Sequence, residues 1–166
     1  MKHLPFFVTL LIAANMFGCS NTPDELRGLK PVTVKIHNDG KPLEGILVSL
    51  NPKEAQSLRG CNGVTDSSGT AVIRTSFSQT SKIGATPGEY KVLLLQSFVM
   101  PDDIASLPGE DSLPAKEQAD LQAKRQAWMA KARIIPEIFE HVDKTPIELT
   151  VDPNKGGELV VDVSKY

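Results

Sequence analysis

Alternating apolar and polar residues mark the first predicted strand of this chain. Val32, Val34 and Ile36 are separated by single polar residues, so an extended segment here would have one apolar and one polar face. Residues 38–41 follow and contain an Asp-Gly pair, which favours a tight hairpin turn because both residues tolerate positive φ. The apolar segment 46–50 then predicts the return strand.

Similar short segments, each bounded by turn-forming residues, recur along the rest of the chain. With the first two they make about seven short strands, a pattern typical of a β-sandwich. The sequence therefore predicts an all-β sandwich of the transthyretin or immunoglobulin type over residues 30–164. The further strand segments lie at 70–75, 91–98, 147–151 and 159–163, and residues 64–65 lead into a tight turn at 66–69, where the Asp66 carboxylate can accept backbone N–H bonds.

One of these segments contains an unbroken run of apolar residues, 92–95. A strand with apolar residues on both faces is typical of a position that is covered on both sides. We therefore expect this strand to be central, with an inserted helix as its second cover.

The segment 99–133 departs from the strand pattern and is predicted to be an insertion. Its first part is rich in Pro and Gly and acidic, with Asp102, Asp103, Glu110 and Asp111. Residues 116–133 then contain no Gly or Pro and many strong helix formers, which predicts one α-helix.

Two interpretations of this helix are open. In the first, Leu121 and Trp128 pin the helix onto the sandwich; in the second, the helix is an element that binds a partner protein. The helix carries more basic than acidic residues, so pairing with the acidic segment before it is also expected.

The N-terminus carries a short apolar segment that predicts export. Lys2 precedes the segment, which is shorter than the roughly 20 apolar residues that a membrane-spanning helix needs. Residues 16–19 resemble the lipobox of bacterial lipoproteins, with Gly18 before Cys19. The resemblance implies a signal peptide over 1–18, lipidation of Cys19 and a flexible tether over 19–29; an ordinary secretory signal is the alternative.

Several lipid chains on Cys19 would hold the protein firmly, since one chain alone gives only weak membrane binding. The expected location is the cell envelope, facing the periplasm or the exterior, with the choice of membrane open. The formal charge of −2 gives no indication of nucleic-acid binding, and an aromatic content of 5% disfavours a sugar-stacking surface. Cys61 is then the remaining cysteine and is expected to be a partly buried, inert thiol.

Sequence motifs for catalysis, metal binding or cofactor binding are absent. His37 and His141 are far apart, and no zinc, phosphate-loop or serine-hydrolase motif is present. Residues 66–69 resemble part of a calcium loop, but the remaining oxygen ligands are missing. We predict no catalytic residue, no metal and no cofactor.

Motifs in a fixed order resemble the transthyretin-like, carboxypeptidase-regulatory-like domains of lipoproteins from planctomycete-type bacteria. The resemblance covers most of residues 30–164 outside the insertion, and implies a fold more than an activity. Tyr90, at the start of a predicted strand, is well placed to bury its ring and bond its hydroxyl to backbone. The segments that carry the resemblance are 32–45, 63–69, 84–92 and 135–139.

Relatives of this architecture that perform chemistry fit the chain poorly. Hydroxyisourate hydrolases end in a Tyr-Arg-Gly-Ser tail, whereas this chain ends at Tyr166 after residues 163–165. Pilin-like sandwiches form a Lys–Asn isopeptide bond, but the last strand offers no Asn to Lys35. The sequence thus predicts a non-enzymatic, lipid-anchored module with a structural or protein-interaction role; a small-ligand or glycan-binding module of the envelope is the alternative.

Overall fold

The computed structural model describes residues 26–54, 61–105 and 112–166. The predicted signal peptide, Cys19 and most of the predicted tether lie outside these residues, as do Glu110 and Asp111 of the acidic segment. Within the described residues, no helix is long and apolar enough to cross a membrane.

Strands in two sheets dominate the described part of the chain, which confirms the predicted all-β, sandwich-like class. The strands are β1 (Val32–Asn38), β2 (Lys41–Pro42), β3 (Ile46–Pro52), β4 (Cys61–Val64), β5 (Thr70–Val72), β6 (Arg74–Phe77), β7 (Thr80–Ile83), β8 (Gly88–Gln96), β9 (Glu148–Val151) and β10 (Gly157–Asp162).

The smaller sheet is built around β1. This strand pairs in parallel with β10 and antiparallel with both β2 and β5. Asp39 and Gly40 have φ values of 55° and 74°, the left-handed conformation that a tight two-residue hairpin requires, and the predicted turn joins β1 to the short strand β2. The expectation that 46–50 is the return strand of this hairpin is wrong, because β3 pairs with β4 and β8 in the larger sheet.

The larger sheet is antiparallel throughout, in the order β7-β6-β4-β3-β8-β9. The strands β9 and β10 are consecutive in the chain but belong to different sheets, so their connection closes one side of the sandwich.

The core lies between the sheets and is formed by alternate residues of the longer strands. In β1 and β3 every second side chain is buried, as the period-two pattern predicts. Full burial of a Val, Ile or Leu side chain contributes about 1.5–3 kcal/mol, so these rows dominate the stability of the fold. The largest fully buried side chains are Tyr90, Phe139, Ile36, Ile73, Leu94 and Ile135.

The predicted single strand over 70–75 consists of two strands that belong to different sheets. β5 pairs with β1, whereas β6 pairs with β4 and β7. Ile73 lies between them, is fully buried, and donates its N–H to the Val32 carbonyl at 3.0 Å. Alternate side chains stay buried from β5 into β6, while the backbone changes from pairing with one sheet to pairing with the other. The period-two pattern does not reveal this change of sheet.

The expectation that β8 is covered on both faces is wrong. The strand lies inside its sheet, between β3 and the edge strand β9, but only Tyr90, Val92 and Leu94 are buried. Leu93 is half-buried and Leu95 is 37% exposed. The outer face of β8 therefore meets solvent, as one face of an antiparallel sheet commonly does.

The predicted helix is confirmed as α1 (Ala115–Ala132), within one residue of the predicted bounds. It begins directly after Pro114, whose fixed φ suits the start of a helix. None of its side chains is buried. The half-covered residues lie on one face of the helix: Gln118, Leu121, Arg125, Trp128, Met129 and Ala132.

Candidate functional site

Cys61 is buried in the core, as the sequence predicts. Its side chain is 1% exposed, and its Sγ lies 3.1 Å from the Thr75 hydroxyl oxygen. Burial raises the pKa of the thiol, so it stays protonated and unreactive at neutral pH.

The two histidines belong to different parts of the fold. His37 lies in β1, half-buried, with Pro42 and Asp162 as its strand neighbours. His141 follows a 3₁₀ helix (Glu137–Glu140), and its Nε2 is 3.6 Å from a Glu137 carboxylate oxygen. In the described ranges, no three His, Cys, Asp or Glu side chains are placed to hold a metal ion.

Asp66 organises the turn between β4 and β5. One carboxylate oxygen accepts bonds from the Ser68 N–H at 2.9 Å, the Ser68 hydroxyl at 2.6 Å and the Thr70 N–H at 3.0 Å. These bonds lower the pKa of Asp66. This oxygen is thus committed to its own loop, which is the turn role predicted from sequence.

Tyr90 occupies the predicted position at the start of β8. Its ring is 1% exposed, and its hydroxyl donates to the Thr86 carbonyl at 2.7 Å. Burial raises the pKa of this hydroxyl to about 12. Tyr90 therefore ties the core to the turn before β8, and its role is structural.

The described residues of the insertion pack on one another, and we call residues 97–133 the arm. The Phe98 and Trp128 rings meet edge to face with centroids 6.2 Å apart. The Arg125 guanidinium donates to the carbonyls of Ile104 at 2.7 Å and Ala105 at 2.9 Å. The half-covered face of α1 is thus turned towards the segment that precedes it.

This geometry corrects the interpretation of α1 as a helix pinned onto the sandwich. Trp128 contacts Phe98, which lies beyond the end of β8, and Leu121 is only half-covered. Arg125 reaches the segment that contains Asp102 and Asp103, where it binds the backbone carbonyls of residues 104 and 105.

The side chain of Gln96, the last residue of β8, binds the C-terminal end of the arm. Its side-chain nitrogen donates to the Ala132 carbonyl at 2.9 Å, and its side-chain oxygen accepts the N–H groups of Ile134 at 2.8 Å and Ile135 at 3.2 Å. Arg133 lies over the Phe98 ring at 5.6 Å. The side chain of Arg133 also forms an ion pair with Glu140.

The arm leaves the sandwich at the end opposite to the start of β1. The Lys30 N–H bonds to Ala85, shortly before β8 begins, and β8 starts where Gly88 pairs with Val151. The strand then runs nine residues, about 30 Å, to Gln96. We call the end at Lys30 the N-terminal end and the end at Gln96 the distal end.

Apolar side chains are exposed at the distal end. Val64, Leu47 and Leu95 form one row across three strands on the outer face of the larger sheet. Val64 is 58% exposed and Leu95 37% exposed, and Ile134 beside Gln96 is 47% exposed. The outward face of α1 carries small residues, namely Ala119, Ala123, Ala127 and Ala130.

A shallow depression of about 540 Å³ lies at the N-terminal end, over the start of β1 and β10. Its polar side chains are Thr33, Lys35, Lys155 and Glu158. His37 lies on the same strand, two residues beyond Lys35.

Comparison of the chain with protein-family models finds no matching family, and comparison with curated protein sequences finds no match.

Proposed function

We propose that this protein is a lipid-anchored module of the cell envelope that holds a protein-binding arm away from the membrane. The observation that carries the proposal is the position of the arm at the distal end, one strand length from the point where the chain enters the sandwich. An anchor at Cys19 would leave the arm on the side that faces a partner.

The composition of the arm supports a contact role. None of the side chains of α1 is buried, so the helix adds no buried side chain to the sandwich core. Its outward alanines would let another backbone approach closely. Exposed apolar residues beside its root, such as Leu95 and Ile134, would add buried area in a complex.

We further propose that the sandwich is of the transthyretin-like, carboxypeptidase-regulatory-like type found in planctomycete-type lipoproteins. The resemblance rests on turns, and two of them serve structural purposes: Asp66 closes one, and Tyr90 holds the other. The proposal assigns no reaction to the chain, which would face the periplasm or the exterior.

The anchor is tested by cell fractionation. The wild-type chain should appear in the membrane fraction, and Cys19→Ser should move it to the soluble extracytoplasmic fraction. Membrane retention of Cys19→Ser would refute anchoring at this residue.

The arm is tested by affinity capture in the native host, compared across four baits. These are the wild type, a chain with residues 100–132 replaced by a Gly/Ser linker, an Ala123→Glu/Ala127→Glu variant and a Ser76→Glu control. Ser76 is exposed on β6, far from the arm in the sheet order, so its variant controls for added charge. We expect one protein to be captured by the wild type and the control and to be lost with both arm variants. Capture of the same proteins by all four baits would refute a contact role.

A further inference from the structure

We propose that the N-terminal end of the sandwich carries a contact site for phosphate headgroups of the membrane, centred on Lys30 and Lys155. The inference deepens the proposed function and rests on it, because the anchor at Cys19 is what would bring a bilayer to this end.

Backbone contacts bring these two lysines together. The Pro31 carbonyl accepts the Gly157 N–H at 3.0 Å. Gly156 has a φ of 87°, and a Cβ there would lie 2.1 Å from the Pro31 oxygen, so only glycine fits. Lys155 lines the depression, and Lys30 directly precedes Pro31, which lines it as well, so the two lysines belong to adjoining segments at this end of the sandwich.

The charges around the depression leave an excess of positive charge. Lys35 is paired with Glu158 at 3.2 Å, so these two groups largely neutralise each other. Asp152, which accepts the N–H groups of Asn154 at 2.7 Å and Lys155 at 2.9 Å, adds a second carboxylate to that of Glu158, so the three lysines 30, 35 and 155 exceed the two carboxylates by one charge. Within the described residues, the ammonium groups of Lys30 and Lys155 have no ion-pair partner.

The length of chain between the anchor and the sandwich favours a membrane as the source of the phosphate. Leu26 is only 3% exposed, so the chain is already packed on the domain at this residue. The seven residues from Cys19 to Glu25 span at most roughly 25 Å when extended. Since attraction to anionic lipid falls off within a Debye length of about 8–10 Å, a tether this short keeps the two lysines close enough to act.

Binding to vesicles by the non-lipidated Cys19→Ser chain tests the site without the anchor. We expect binding to vesicles of equal parts phosphatidylcholine and phosphatidylglycerol, and none to phosphatidylcholine alone. Lys30→Gln/Lys155→Gln should weaken partitioning roughly 30-fold, since each lysine near an anionic surface contributes about fivefold. Glu158→Gln should strengthen it, because Lys35 then loses its neutralising partner.

The matched control is Lys116→Gln/Lys124→Gln, which removes two exposed charges from α1 at the distal end. Equal weakening of vesicle binding by both double variants would show general electrostatic attraction and overturn the site. Binding that survives a rise in salt from about 0.1 M to about 1 M would also overturn it, because the Debye length is then only about 3 Å. A titration with inorganic phosphate, followed by amide NMR shifts at residues 30 and 155, distinguishes binding of free phosphate from binding of lipid headgroups. Saturable shifts with phosphate, without vesicle binding, would overturn the membrane assignment.

These outcomes are distinct from failure of the anchor. If fractionation shows release by Cys19→Ser but vesicles do not bind, the headgroup site is wrong and the anchor stands. If vesicles bind and Cys19→Ser stays with membranes in cells, the headgroup site stands and the anchor is wrong.

Discussion

Single polar side chains bonded to backbone groups hold several turns of this protein. Tyr90 and Asp66 each bind a group within four residues along the chain, so their roles follow from local sequence. Gln96 binds groups 36 to 39 residues away, and nothing in its neighbourhood marks it as special. Local turn chemistry is therefore visible in the sequence, whereas a long-range amide contact depends on a fold that brings the two segments together.

The Tyr90 hydroxyl should contribute measurably to stability. Tyr90→Phe keeps the buried ring but removes the bond to the Thr86 carbonyl, so we expect a loss of about 1 kcal/mol in the free energy of unfolding. Urea denaturation measures it. Tyr166→Phe is the control, because this residue is 59% exposed and its ring contact with Phe139 would remain. Equal stability of Tyr90→Phe and wild type would contradict the role assigned to this hydrogen bond.

Glu148 should make stability depend on pH in the acid range. Lys53 at 2.6 Å and Lys91 at 2.8 Å lower its pKa from 4.5 to about 2. Because the folded pKa lies below the unfolded value, the stabilisation is fully present above pH 4.5 and is lost as the pH falls towards 2.

The effect of Glu148 should be small, since the group is exposed and solvent screens its ion pairs. We expect Glu148→Gln to lower the urea midpoint at pH 7, with the difference from wild type shrinking at pH 3. A difference that is constant with pH would show that the ion pairs do not stabilise the fold.

At the scale of elements, we expect the arm to be less stable than the sandwich. Its described links to the sandwich are the bonds of Gln96 and the ion pair of Arg133, and Ile104 is its one buried residue in the described part. Segments with few buried apolar contacts open at lower free energy than a core.

The chain's one tryptophan, Trp128, reports on the arm directly. We expect tryptophan fluorescence to change at lower urea concentration than the far-ultraviolet circular dichroism of the strands. Gln96→Met keeps the length of the side chain but removes its three hydrogen bonds, so it should widen the difference in urea concentration between the two transitions. Coincident curves for wild type and variant would show a single cooperative unit.

The sandwich should fold without the arm. Replacing residues 100–132 by a short Gly/Ser linker removes no residue of the large core cluster. Cooperative thermal unfolding should remain. A broad, non-cooperative transition would mean that the arm completes the core.

The sequence pattern predicted elements better than their partners. The bounds of α1 were predictable because Pro114 and a run of helix formers mark them locally. The division at Ile73 and the exposure of Leu95 were not, because strand pairing and burial depend on distant residues. The same reason explains why α1 was expected on the sandwich. The spacing of Leu121 and Trp128 shows that they share a covered face, but it does not show which segment covers that face.

At the scale of the whole molecule, the topology gives the sandwich two different ends. The N-terminal end receives the chain beside Lys30, and the distal end carries the arm and the exposed row with Leu95. The central claim is that an anchor at the first end holds the arm away from a membrane at the second.

Energy transfer from Trp128 to dansyl-labelled lipid headgroups tests this claim most directly, measured on lipidated protein that floats with vesicles. We expect the wild type to float with the vesicles and Cys19→Ser to lose flotation. We also expect weak energy transfer in the wild type, because β8 separates the arm from the bilayer by about 30 Å. Strong transfer would place the arm at the membrane, and equal flotation of Cys19→Ser would remove the anchor; either result would contradict the account.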